Sequence, residues 1–198
     1  MRSMIFRQVK LFAFILCGYL MQVCVMPYFK IGPITPNMMV ATIAIVTVGY
    51  GRLRALWTGL IYSLLLITFL SSMPMIDLLL YPICALLFSV FCADKTASRL
   101  QYERSIGKAG RNISPLLRTV VCAFLNAVAV EFVNLVYAYL LGATFTATAF
   151  SRALTCVLCT TALTALIMLP ARRLLGFRKP EPEGTQELRF GKPLKLDD

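Results

Sequence analysis

Histidine is absent from the 198-residue sequence. That absence removes the commonest metal ligand, a frequent general base, and the side chain that titrates nearest neutral pH. Charge is scarce too. Only 15% of residues are Asp, Glu, Lys or Arg, against about 25% in soluble domains. So little charge leaves too little polar surface to wrap a water-soluble globule of this size, which excludes a soluble enzyme. Acidic residues are the scarcest charged class, nine against twenty Lys and Arg, for a net charge of +11. Catalytic signatures are missing as well: there is no H-E-x-x-H, no G-x-S-x-G, and no pair of intramembrane carboxylates for acid–base work.

What is present is apolar. Residues of the AVILMFWYC set make up 59% of the chain and the mean hydropathy is +0.75. The reading is an all-α integral membrane protein, a bundle of about six transmembrane helices over residues 1–177 with a tail over 178–198. The length suits six spans of about 20 residues plus connectors. The first apolar segment runs from Leu11 to Phe29, between Lys10 and Lys30; it is long, lacks a cleavage signature, and reads as a retained anchor. The second runs from Ile34 or Asn37 to Tyr50, short for a span, with Asn37 available as an N-cap after a Pro-bounded turn. Segments from Leu56 to Leu70 or Met73 and from Leu78 to Ala93 flank Ser71-Ser72-Met73-Pro74 and predict an antiparallel hairpin. The fifth starts at Ser114-Pro115, a cap followed by proline at the first helical position, and reaches Leu141. The sixth runs from Ala153 to Leu169, stopped by Pro170. All seven cysteines fall in apolar stretches and read as small hydrophobes, the Cys156/Cys159 pair included.

Orientation follows from the positive-inside rule. With the N-terminus in the cytoplasm, eighteen of the twenty Lys and Arg fall on the cytoplasmic side and only Lys30 and Arg152 outside. Both termini are then cytoplasmic and the span count is even. The positive charge that would suggest nucleic acid in a soluble protein is therefore a topology signal, and no nucleic-acid partner is expected. The loop 94–118 carries six basic and two acidic residues. With Arg52 and Arg54, its Lys95, Arg99, Arg104, Lys108 and Arg111 form a candidate cytoplasmic surface, for anionic lipid headgroups or for an acidic partner. An Arg99/Glu103 pair lets the fourth helix extend past the membrane. The tail has the composition of a disordered segment.

One polar constellation lies inside the membrane. The fifth segment holds Asn126, Glu131, Asn134 and Tyr137, and Glu131 is the one acidic residue deep in any segment. A charge there costs about 2.5–3.5 kcal/mol on insertion scales, so it needs a partner, a wet cavity or a proton. On a helix these four fall with Ala123 and Ala127 within an arc of about 140°, while Phe124, Val128, Phe132, Leu135, Val136 and Tyr139 fill the other side. Small residues admit a neighbouring backbone and amides then bond across. Three readings stay open for this face: helix–helix packing, contact with another membrane protein, or a substrate or proton site. No intramembrane cation stands out as a partner for Glu131, because Arg152 is placed outside. No cofactor or metal is expected.

Segments two to six resemble the bacterial rod shape-determining protein MreD family. The likeness is carried by Ile34-Thr35-Pro36-Asn37-Met38-Met39-Val40 at the start of the second span and by Tyr50-Gly51-Arg52-Leu53-Arg54 followed by Thr58-Gly59-Leu60. It continues in Pro74-Met75-Ile76-Asp77-Leu78 leading into Tyr81-Pro82-Ile83-Cys84-Ala85, the polar fifth span, and Leu169-Pro170-Ala171-Arg172-Arg173. The third span lacks the Asp common in that family. The resemblance implies a non-enzymatic scaffold of the cell-wall elongation machinery in the bacterial cytoplasmic membrane. The implied partners are membrane lipids, a single-span MreC-like protein, an MreB-like actin filament, and the peptidoglycan glycosyltransferase/transpeptidase pair. The rival class is the substrate-binding membrane subunit of an energy-coupling-factor vitamin transporter, similar in size and span number, although the first span lacks the A-x-x-x-A motif of that class.

Overall fold

The computed structural model describes residues 2–29, 34–69, 75–92, 114–144 and 146–176. These residues are almost entirely helical. Six α-helices follow one another: α1 (Arg2–Leu20), α2 (Met38–Tyr50), α3 (Arg52–Phe69), α4 (Asp77–Cys92), α5 (Pro115–Leu140) and α6 (Ala147–Leu174). Past Leu20, α1 continues as a π-turn over Met21–Val25 and a 3-10 turn over Met26–Tyr28. The first helix thus starts well before Leu11, and Lys10 lies inside it.

Among the described residues four stretches are long and apolar enough to cross a bilayer: Gln8–Tyr28, Arg52–Phe69, Pro115–Leu140 and Ala147–Leu174. The protein is a multi-pass, all-α membrane bundle. The other two helices are shorter, 13 residues in α2 and 16 in α4. At 1.5 Å per residue they reach about 20 and 24 Å, less than the ~30 Å hydrocarbon core. For α2 the reason is its position. Every residue from Met38 to Val48 is buried, and α2 packs against all five other helices. A helix apolar on every side belongs in a core, and α2 is the post around which the bundle is assembled. Its buried hydroxyls bond within the helix, Thr42 to the Met38 carbonyl at 2.8 Å and Thr47 to that of Ile43 at 2.7 Å.

Helices α3 and α4 form the closest pair, as the hairpin reading requires, although residues 70–74 of the turn lie outside the described residues. Gly59 makes this possible. A Cβ there would sit 2.8 Å from the Pro82 Cα and 2.9 Å from the Tyr81 carbonyl oxygen, so the two backbones touch. Beside it the Ser63 hydroxyl donates to the Asp77 carbonyl at 3.0 Å. Fully buried Tyr62 ties α3 to α1, its hydroxyl donating to the Ile15 carbonyl at 3.0 Å. Opposite that hydroxyl stands Gly18, where a Cβ would come within 2.5 Å of it.

The fifth helix begins as expected: Pro115 opens it and the Ser114 hydroxyl accepts from the Leu117 N–H. The sixth does not. It starts at Ala147, capped by Thr146, and passes through Pro170 to Leu174. A proline inside a helix costs about 3 kcal/mol. Here Met168, Ala171 and Leu175 are buried around Ile45 of α2, and that packing carries the helix past the missing N–H. Of the candidate basic surface, exposed Arg52 and half-buried Arg54 open α3; the Arg54 guanidinium lies 4.8 Å from the centre of the Tyr50 ring. Lys95, Arg99, Arg104, Lys108 and Arg111, the proposed extension of α4, and the 178–198 tail all lie outside the described residues.

Candidate functional site: a polar cavity among the helix ends

Asn37 organises the site. Its side-chain oxygen accepts from the Met39 and Val40 N–H groups at 3.1 and 3.2 Å, capping α2. Its own backbone N–H donates to the Thr160 hydroxyl of α6 at 3.0 Å, and its side-chain amide donates to the Tyr81 hydroxyl of α4 at 3.0 Å. One residue therefore joins three helices and satisfies two of the orphan donors at a buried helix start. The Met38 N–H takes another acceptor, the Gln22 side chain in the π-turn after α1. A π-turn displaces side chains from regular helical register and is common at functional sites.

Around this junction lies a cavity of 610 Å³ at the end of the bundle where α1, α3 and α5 finish and α2, α4 and α6 begin. That end is opposite Arg52 and Arg54 of α3 and Arg172 and Arg173 of α6. Asn37 and Tyr81 line the cavity, together with Asp77, Glu131, Asn134 and Arg152. Asp77, only 5% exposed, sits in the first turn of α4, where the helix dipole favours a negative charge. Half-buried Glu131 and the Cys156 thiol both line the cavity. That thiol also points to the Thr35 carbonyl at 3.7 Å. Cys156 is thus a wall of the cavity, and all seven cysteines are free thiols.

The expected polar face of the fifth span divides in two. Ala123, Asn126 and Ala127 are buried in the bundle, and Asn126 donates within its own helix, to the Cys122 carbonyl at 2.8 Å and its sulfur at 3.4 Å. Glu131 and Asn134 open onto the cavity, whereas Tyr137 is half-buried and does not line it. On the far side Phe124, Val128, Phe132, Val136 and Tyr139 are exposed as expected; Leu135 is not, and lines the cavity. One expectation changes here: Asp77, at the start of α4, shares the cavity with Glu131, so two carboxylates do line one cavity of the bundle. Arg152, near the start of α6, lines that same cavity. Sequence reading also missed Gln22, whose signal was a lone amide in an otherwise apolar run, and Tyr81, which carried none. Among the described residues no three His, Cys, Asp or Glu side chains converge closely enough to hold a metal ion.

Compared with protein-family models, curated proteins and solved structures, the chain has no match.

Proposed function

We propose that the protein is a non-enzymatic scaffold of the bacterial cell-wall elongation machinery, an MreD-like subunit of the cytoplasmic membrane with both termini in the cytoplasm. One observation carries this reading. Four of the residues that carry the sequence resemblance hold helices together: Asn37 joins α2, α4 and α6, and Gly59 seats α3 on the backbone of Tyr81 and Pro82. The exposed apolar rows of α4 and α5, including Leu79, Ile83, Leu86, Val128 and Phe132, give the bundle surface for lipid and for partner spans. The partners in this reading are an MreC-like single-span protein, an MreB-like filament and the peptidoglycan-polymerising pair.

Depletion of the protein in a rod-shaped host, with affinity recovery of complexes from its membranes, tests the proposal. Rounded cells are expected on depletion, and co-recovery of an MreC-like protein from the intact chain; Glu131→Leu should restore rod shape and co-recovery less well than Glu131→Gln. Unchanged shape on depletion would refute the scaffold role. The cavity favours a second reading, the substrate-binding subunit of an energy-coupling-factor transporter, because 610 Å³ is within the range of small-molecule sites. Native mass spectrometry showing a vitamin retained at one per chain would select it.

A further inference from the structure

We propose that the cavity binds a small zwitterion bearing a primary ammonium group, with its cationic end between Asp77 and Glu131 and its anionic end at Arg152. The inference rests on the cavity, which the transporter reading also uses, and is independent of the scaffold reading.

Asp77 and Glu131 are the only two acidic residues among the described ones, and they line the same cavity. Tyr81 lines it with them. Asp77 is nearly buried, yet among the described residues its carboxylate has no hydrogen-bond or ionic partner. Its oxygens are not fully enclosed and face the cavity, where a counter-charge or donors would stabilise them. Tyr81 supplies one donor: its oxygen already accepts from Asn37, which leaves its own proton free for the cavity. Arg152 is placed differently. It is exposed, one turn nearer the start of α6 than Cys156, and so stands at the mouth while Glu131 stands further in. The polarity is therefore ordered, negative inside and positive at the rim, with the Asn134 amide beside Glu131.

An ammonium group matches this arrangement better than a metal ion, since no metal-ligating cluster forms among the described residues. A purely cationic ligand would leave the rim guanidinium unused, and a purely anionic one would face two carboxylates. The shared chemistry is an ammonium joined by a short linker to a carboxylate or phosphate. A free amino acid has it, and so does the headgroup of phosphatidylethanolamine.

The test uses the full chain in nanodiscs of phosphatidylglycerol alone, and in discs that also contain phosphatidylethanolamine. Calorimetric titration compares β-alanine, phosphoethanolamine, ethanolamine and propionate. In phosphatidylglycerol discs the two zwitterions are expected to bind saturably, ethanolamine about tenfold more weakly, and propionate not at all. Asp77→Asn and Glu131→Gln should each weaken zwitterion binding about tenfold or more, the size of one lost charge-assisted hydrogen bond. Arg152→Gln should bring the zwitterions down to ethanolamine and leave ethanolamine unchanged. If the lipid is the source, phosphatidylethanolamine competes with the free probes and is retained at one per chain in native mass spectrometry. If a solute is the source, affinities agree between the two discs. Absence of zwitterion binding together with no retained phosphatidylethanolamine would overturn the proposal, as would equal binding of propionate. Should a variant fail to fold, the ranking of probes on the unaltered chain decides.

Discussion

Asn37 shows how much one side chain can hold. Its oxygen caps α2, its amide serves Tyr81, and its backbone meets Thr160. Replacement by Ala removes the cap, worth about 1 kcal/mol, and leaves a buried hydroxyl short of a donor, worth about 1–3 kcal/mol more. Asn37→Ala is therefore expected to lower the midpoint of thermal unfolding in detergent. Asn37→Asp keeps the capping oxygen and can accept the Tyr81 proton, reversing that bond, but it brings a third carboxylate to the cavity. It should recover only part of the stability lost in Asn37→Ala, and full recovery by Asp would show that the added charge costs nothing. The capping role was legible, since an Asx residue after a Pro-bounded turn announces a helix start. The link to Tyr81 was not, because 44 residues separate the two and no local pattern encodes that distance.

At the scale of the element, the α3–α4 hairpin depends on contact between backbones. Gly59→Val would drive a side chain into the Pro82 Cα, and overpacking of this kind costs about 1–3 kcal/mol. Lower recovery of monodisperse protein is expected, with a smaller loss for Gly59→Ala; a wild-type melting profile for Gly59→Val would show that the helices do not meet there. The α4–α5 contact has its own reporter. The Cys92 and Cys122 side chains share a buried cluster with Ala44 and Ala123. Mild oxidation should join them. After cleavage in an engineered protease site within residues 93–113, the two fragments should stay together on a gel until reduced, and separate without reduction in Cys92→Ser. Element boundaries were legible where capping chemistry is local, as at Ser114-Pro115. They were not legible at Pro170, where burial of Ala171 and Leu175 outweighs the helix-breaking ring.

For the whole molecule, the basic residues and the cavity mark opposite ends. Arg52, Arg54, Arg172 and Arg173 lie at the end away from Asp77, Glu131 and Arg152. By the positive-inside rule the cavity opens to the exterior. A fluorescent protein fused after Asp198 is then expected to fluoresce, and alkaline phosphatase inserted at Gly142, between α5 and α6, to be active. The reverse pattern would invert the topology and turn the cavity toward the cytoplasm.

Composition by itself determined the class of molecule. With 15% charged residues the chain has no means of covering itself for water, so helices in lipid follow from the need to satisfy every backbone group internally. Periodicity located the buried and lipid-facing sides of α5, because those depend on residues three and four apart. Tertiary structure alone decided that α2 is enclosed on every side, since burial of that kind requires five neighbours drawn from the whole chain. It also brought Asp77 to Glu131 and Arg152. Charges far apart in sequence meet only when the helix ends converge, and that convergence is a property of packing.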